Sequence, residues 1–75
     1  MANHRPHHKQ TQSEIALPRH IASELAILIN RGRGRTGPTA WTALADAKHR
    51  LQRICGHDRR SFNVALNRYV WEVSR

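Results

Sequence analysis

The stretch SFNVALNRYVWEVSR, residues 61–75, has the most regular helical pattern in the chain. Its apolar residues recur every three or four positions, which places them along one side of an α-helix. These residues are Phe62, Ala65, Leu66, Tyr69, Val70 and Val73. Asp58 and Ser61 precede or begin the stretch, and both are residue types that cap the N-terminus of a helix. We therefore predict a helix over residues 61–75 that packs through this apolar stripe.

Two more amphipathic segments lie upstream. Residues 18–31 begin with a proline, which suits the first turn of a helix, and are followed by Gly32, a helix terminator. A second segment runs from Thr39, a candidate N-cap, to Cys55. The apolar positions are Ile21, Leu25, Leu28 and Ile29 in the first segment and Leu44, Ala47, Leu51, Ile54 and Cys55 in the second, with Trp41 at its first turn. Three such helices with short connections predict an all-α fold, a small three-helix bundle over residues 15–75.

The N-terminal segment differs from the rest of the chain. Residues 1–14, MANHRPHHKQTQSE, are polar and show no periodicity. Such a segment buries too little apolar surface to fold by itself, so we predict a disordered basic tail. It carries His4, His7 and His8, but no cysteine or acidic side chain lies directly beside them to complete a metal-ligand set. We expect a solvated tail and no bound metal.

The composition favours a role in binding an anionic surface. The 75 residues include 13 Lys and Arg against 5 Asp and Glu, a net charge of +8, and eleven of the cations are arginines. Guanidinium groups pair with phosphates and carboxylates through two hydrogen bonds at once. A chain of this length buries only about 60 % of its unfolded surface, too little for a deep pocket that takes a small-molecule substrate. We therefore expect a nucleic-acid partner, DNA rather than RNA, or an acidic protein surface such as a transcription complex.

Other classes of function lack a sequence pattern. The five acidic residues are scattered, and Cys55 lies on an apolar stripe, where a buried structural thiol is more common than a nucleophile. We therefore predict a protein that is not an enzyme and needs no cofactor. A single cysteine excludes an intrachain disulfide and favours a reducing, cytoplasmic location. No apolar run approaches the ~18 residues of a membrane-spanning helix, so no membrane partner is expected.

The basic stretch RGRGRTGP, residues 31–38, joins the first two predicted helices. Its RGRGR segment resembles the AT-hook, whose Arg-Gly-Arg-Pro core lies in the DNA minor groove, although Thr36 stands where the hook has proline. The resemblance implies that Arg33 and Arg35 contact phosphates or a narrow minor groove. The alternative is a flexible connector in which the glycines supply turn geometry and the arginines play no part.

The junction ICGHDRRSFNVALNR, residues 54–68, matches part of the helix-turn-helix pattern, which has a glycine in its turn and an apolar residue about six positions later. Gly56 and Phe62 have this spacing, whereas Gln52 occupies a position that usually holds a small residue. In this interpretation arginines in the turn contact phosphates and polar residues of the third helix face base edges. The residues concerned are Arg59 and Arg60 in a turn over residues 57–60, and Asn63, Asn67 and Arg68 on the helix. The alternative is an ordinary helical hairpin with a capped second helix.

The back of the third helix points to a different partner. At about 100° per residue, Val64 and Trp71 lie almost opposite the apolar stripe, with Arg68 and Arg75 beside them. Tryptophan with arginine neighbours is typical of a protein-binding hot spot. Alternatively, the N-terminal tail or the basic stretch of residues 31–38 covers Trp71, or Trp71 completes a core wrapped around the third helix.

Two functional hypotheses follow. The first is a small non-catalytic basic regulator, of transcription, that binds nucleic acid through the arginine-rich loop, the turn and the third helix. The second is a protein-binding inhibitor or modulator that docks on the host transcription machinery, or on another large complex, through Trp71, Val64 and Arg68. The size and charge of the chain would suit a phage- or plasmid-type protein in this second role.

Overall fold

The computed structural model describes residues 16–75. They form three α-helices: α1 is Arg19–Gly32, α2 is Gly37–Cys55 and α3 is Arg59–Val73. Each helix packs against both of the others, and residues 16–75 contain no strand. The predicted all-α three-helix bundle is therefore confirmed. The predicted disordered tail, residues 1–14, lies outside the described residues, and so do its three histidines.

Proline lies at the start of the first two helices. Pro18 sits at the N-cap of α1, and α2 begins at Gly37, two residues earlier than predicted, with Pro38 in its first turn. Proline has its φ angle preset for a helix and has no N–H that would be left unpaired there. The predicted Thr39 cap is therefore wrong. The Thr39 hydroxyl instead donates a hydrogen bond to the Thr36 carbonyl oxygen (2.7 Å).

An aspartate caps α3, which begins at Arg59 rather than at residue 61. The Asp58 carboxylate accepts one hydrogen bond from the backbone N–H of Ser61 (3.0 Å) and another from the Ser61 hydroxyl (2.7 Å). These two bonds lower the pKa of Asp58, the backbone bond most of all. The predicted turn over residues 57–60 is thus too long, because Arg59 and Arg60 already form the first turn of α3. The connection between α2 and α3 is only residues 56–58.

The core is an apolar cluster to which all three helices contribute. Its buried members are Ile21, Leu25 and Leu28 from α1, Ala47, Leu51 and Cys55 from α2, and Ala65 and Tyr69 from α3. All of these residues belong to the apolar stripes predicted from the sequence. The helical periodicity therefore identified the buried side of each helix.

On α3 the buried arc is centred differently from the prediction. Val64 is only 4 % exposed, whereas Val70, placed in the stripe, is 43 % exposed. At 100° per residue, an arc centred on Ala65 has Val64 and Leu66 at its two edges and leaves Val70 outside. Since α3 packs against both α1 and α2, it buries a wider arc than a single stripe. The placement of Val64 on the outward side is therefore wrong, while that of Trp71, 67 % exposed, agrees with the prediction.

A close approach joins the C-terminal end of α1 to α3. Gly32 is buried at this end, and a Cβ atom added there would collide with the Tyr69 hydroxyl oxygen and lie 3.0 Å from Val73 Cγ1. Tyr69 is itself only 2 % exposed, so its ring cannot move aside without opening the core. Burial raises the pKa of the Tyr69 hydroxyl, and the Asp46 carboxylate raises it further. Glycine at position 32 therefore allows α1 to end directly on the Tyr69 ring.

We predict that Gly32→Ala lowers the free energy of unfolding by about 1 kcal/mol. Overpacking costs about 1–3 kcal/mol, and the higher helix propensity of alanine offsets at most about 1 kcal/mol of that. Urea unfolding followed by far-ultraviolet circular dichroism measures the change. In a Tyr69→Phe background, which removes the nearest colliding atom, the same substitution should cost less. An equal loss in both backgrounds would show that the hydroxyl does not limit the approach of the two helices.

We predict that Asp58→Ala lowers the melting temperature at neutral pH, because the N-terminus of α3 loses its cap. Because the pKa of Asp58 is lower in the folded state, its carboxylate stabilises the fold above the unfolded-state pKa and ceases to do so as the pH falls through the folded-state pKa. The difference in melting temperature between wild type and Asp58→Ala should therefore shrink below about pH 4. Asp58→Asn, which keeps an accepting oxygen, should lose less. A difference that does not vary with pH would contradict this account of the cap.

Candidate functional site

One side of α3 faces away from the core and is mostly polar. Arg60, Asn63, Asn67 and Trp71 are exposed and follow one another at spacings of three or four residues, so they lie on one stripe of the helix. We call this stripe the α3 face. At 1.5 Å per residue it extends over about 17 Å, and none of its residues is acidic. The two asparagines are exposed, as their predicted role requires.

The α3 face begins at a concentration of positive charge. Arg59 and Arg60 occupy the first turn of α3, and Arg53 lies in the last turn of α2, across the short connection. All three are exposed, and within residues 16–75 none forms an ion pair with a carboxylate. The positive end of a helix dipole disfavours a cation by about 0.3–1 kcal/mol, a cost that the attraction between Arg60 and the Asp58 carboxylate, whose pKa Arg60 lowers, offsets only for Arg60. An anion bound from solution would offset this cost.

The carboxylates of residues 16–75 are engaged within the domain. The ion pairs are Glu24–Arg50 (3.3 Å), Asp46–Arg50 (3.8 Å), Glu72–Arg33 (3.0 Å) and Glu72–Arg75 (3.9 Å), and Asp58 caps α3. These pairs use Arg33, Arg50 and Arg75. They leave the arginines around the N-terminus of α3 without a paired carboxylate.

The arginines of the basic loop, residues 33–36, tie that loop to the domain. The Arg33 guanidinium donates to Glu72 of α3 (3.0 Å), and Arg35 Nε donates to the carbonyl oxygen of Arg31 in the last turn of α1 (2.6 Å). The loop is a connector by position, yet its arginines have structural partners. Their predicted contact with phosphates stays a prediction.

The residues predicted to bind nucleic acid lie at two ends of the bundle. The Arg33–Glu72 pair puts the basic loop beside the C-terminal end of α3, whereas Arg60 is in the first turn of that helix. About 18 Å of helix separates Arg60 from Glu72. The structure thus groups Arg59, Arg60, Asn63 and Asn67, and it does not bring Arg33 and Arg35 to them.

The residues predicted to dock a protein are also divided. Trp71 is 67 % exposed, and Arg75 lies one turn further along, paired with Glu72. Val64 is buried and presents no contact surface, which corrects the sequence prediction. Arg68, assigned to both predicted sites, is half-buried and already has an interaction partner. Trp71 is therefore the member of this set with a large exposed apolar surface.

A second exposed tryptophan, which sequence reasoning did not select, lies on α2. Trp41 is 71 % exposed and borders a groove of about 370 Å³ between α2 and α3. The lining of this Trp41 groove consists of Ala40, Trp41 and Leu44 from α2, Tyr69, Val70 and Val73 from α3, and Gly32, Arg35 and Ser74. The sequence did contain one indication that Trp41 is exposed. It lies in the first turn of its helix, ahead of the apolar stripe that packs in the core.

Cys55 has the environment of a structural thiol. It is 7 % exposed, and burial raises the pKa of its thiol, with a further rise from the nearby Asp58 carboxylate. The protonated thiol is therefore favoured. Residues 16–75 contain no group of three or more His, Cys, Asp or Glu placed to hold a metal ion. None of the three described helices has the length and apolar character that crossing a bilayer requires.

Comparison with known proteins yields no relative: no family model matches the chain, and no curated protein or solved structure matches it detectably. A function for the chain is therefore inferred from the geometry of residues 16–75 and from the sequence.

We predict that the Arg33–Glu72 pair has a coupling energy of about 0.5 kcal/mol, because both side chains are partly solvated and therefore screened. A double-mutant cycle of Arg33→Gln and Glu72→Gln, measured by urea unfolding, gives this energy. The cycle of Arg75→Gln with Glu72→Gln is the control, and it should give a smaller value because its charged atoms are 3.9 Å apart. Equal values would show that Glu72 does not hold Arg33 of the basic loop in preference to Arg75.

Proposed function

We propose that this chain is a small non-catalytic regulator that binds DNA along the α3 face. The observation that carries the proposal is the composition of that face, which has Arg60 at its N-terminal end with Arg59 next to it in the same turn, two asparagines on the following turns and no carboxylate. Contacts to phosphates position a protein on DNA, and contacts to bases specify the sequence. The α3 face offers both kinds of side chain in one line.

Arg53, Arg59 and Arg60 supply the phosphate contacts in this proposal. Because none of them is paired with a carboxylate of residues 16–75, each is available to replace a counterion on the DNA backbone. The positive end of the α3 dipole lies at the same place and adds to the attraction for a phosphate.

Asn63 and Asn67 supply the base contacts. An asparagine side chain makes two hydrogen bonds with the N6 and N7 edge of adenine in the major groove. The major groove of B-form DNA, about 12 Å wide, admits an α-helix. The major groove of A-form RNA is too deep and narrow for side chains to read. DNA is therefore the favoured nucleic acid.

The connection between α2 and α3 supports the same mode of binding. Helix-turn-helix proteins join two helices through a turn of about three or four residues that often contains glycine. Residues 56–58 are such a connection, and Gly56 has a φ angle of 59°, in the left-handed region that favours glycine. We assign α3 the reading role and α2 the supporting role. A small non-catalytic domain that reads DNA through one helix acts by occupying its binding site on the DNA. Occupation of a DNA site changes the access of other proteins to it, so we propose regulation of transcription as the process.

The exposure of Trp71 favours a second candidate function. A tryptophan that is 67 % exposed at the C-terminal end of the α3 face is typical of a hot spot in a protein interface. In this alternative the chain is a phage- or plasmid-type modulator that docks on the host transcription machinery, or on another large complex, through Trp71. Such a contact depends on apolar burial and survives moderate salt, whereas phosphate contacts weaken steeply.

A salt titration of DNA binding tests the proposal. We expect micromolar binding of a labelled generic duplex at about 50 mM salt, falling steeply by about 200 mM, measured by fluorescence anisotropy. The Arg59→Gln/Arg60→Gln variant should lower the slope of log K against log salt by about two units, one for each lost phosphate contact. Arg33→Gln/Arg75→Gln is the matched control. It removes the same charge from arginines that Glu72 already neutralises in part, so its slope should change much less.

Two results would contradict the proposal. An absence of binding at low salt, despite the net charge of +8, would exclude DNA as the partner and favour docking through Trp71. A larger change in slope from the control than from the α3 arginines would place the phosphate contacts at Arg33 and Arg75, at the opposite end of the bundle.

A further inference from the structure

The Trp41 groove is an apolar surface that the proposed DNA contact leaves unused. Trp41 is 71 % exposed on the α2 wall and Val70 is 43 % exposed on the α3 wall. Leu44 and Val73 are half-buried in the same lining. Two large apolar side chains left in water on either side of one groove are typical of a surface that a partner covers.

Positive charge borders this groove. Arg35 belongs to its lining and also to that of an adjoining depression of about 470 Å³, where Arg31 lies as well. Asp46 lines the depression too and offsets part of this charge, but the depression has two arginines against this one carboxylate, and Arg35 is the charged residue in the groove lining. Glu72, adjacent to the groove residue Val73 in the sequence, is held by two arginines. The charge available to a partner at the groove is therefore positive.

Charge also decides between the occupants that such a groove can take. A second copy of the chain would bring one net charge of +8 against another, which opposes association. The N-terminal segment of the chain carries Arg5 and Lys9 against Glu14, so its net charge is repelled by Arg35. A segment rich in Asp and Glu is instead complementary to this surface.

We propose that the Trp41 groove binds a short acidic segment of another protein, which inserts one or two large apolar side chains between the α2 and α3 walls. Each wall is about 6 Å of helix, over residues 40–44 or 69–73. That length accommodates two apolar side chains placed one helical turn apart. Acidic residues beside these anchors pair with Arg35. Proteins that bind an amphipathic helix in a groove use the same arrangement, in which apolar anchors one turn apart enter the groove.

This site goes beyond the proposed function, because its partner and its position differ. The groove uses the first turns of α2 and the C-terminal half of α3, whereas the proposed phosphate contacts lie at the N-terminus of α3. The two sets of residues do not overlap, so one bound partner does not use the contacts of the other. The domain therefore links a DNA site to a protein that carries the acidic segment.

Fluorescence anisotropy with a labelled synthetic peptide tests the proposal. The peptide has about twelve residues, with Phe and Leu four positions apart and Asp or Glu at most other positions. Trp41→Ala should weaken its binding at least about tenfold. Trp71→Ala removes a similarly exposed tryptophan outside the groove and should weaken binding less than about twofold. Arg35→Gln should weaken binding about threefold and make it less dependent on salt.

Two control peptides and a single-stranded oligonucleotide, each tested for binding in the same way, complete the experiment. Replacing the acidic residues with Lys, or the Phe and Leu with Ser, should each abolish binding. Equal losses from Trp41→Ala and Trp71→Ala, or tight binding of the Lys peptide, would overturn the proposal. So would a single-stranded oligonucleotide that binds more tightly than the peptide and depends on Trp41, because the groove would then stack bases. Binding of a DNA duplex is measured separately, so these outcomes leave the proposed function untouched.

Discussion

The contact between Tyr69 and Gly32 determines how the ends of α1 and α3 meet. Because residue 32 has no Cβ, α1 ends against the Tyr69 ring in the core, and the chain leaves α1 close to the C-terminal half of α3. The basic loop that follows is then near enough for Arg33 to bind Glu72. Tyr69 also lines both the Trp41 groove and the adjoining depression. The floor of the proposed peptide site is thus the same side chain that fixes the spacing of the helices.

The distribution of carboxylates gives the bundle two different ends. At the loop end, Glu72 neutralises arginines that would otherwise repel one another. At the other end, Asp58 is used in capping α3, and Arg59 and Arg60 follow it in the first turn, where the helix dipole opposes their charge. Arg60 is attracted to the Asp58 carboxylate, but the fold compensates this group of positive charges only in part, which is typical of a binding site. This contrast is why we place DNA at the N-terminus of α3, whereas the acidic segment is assigned to the opposite end because of the exposed apolar groove and Arg35.

Patterns among residues close in the sequence predicted the helices and most of the core, but they predicted less about which residues lie on the surface and what they contact. Helical spacing identified the core positions on all three helices, and Asp58 was recognised as a candidate cap because its side chain acts on the next few residues. Val64 was misplaced because a stripe of apolar residues does not show the centre of the arc that two packing partners bury. The Arg33–Glu72 contact joins residues 39 positions apart, and no local pattern contains it. Trp41 was grouped with the apolar positions of its helix, although its place in the first turn, ahead of the apolar stripe, indicated a residue outside the core.

The most direct test of the central claim is a titration of the ¹⁵N-labelled protein with a DNA duplex, followed by backbone amide chemical shifts. We expect the largest changes at Arg60, Asn63 and Asn67, with small changes at Arg33 and Trp41. This result would show that DNA lies along the α3 face. Shift changes concentrated on Arg33, Arg35 and Trp41, with residues 59–67 unaffected, would contradict the account and place the nucleic acid on the loop end of the bundle.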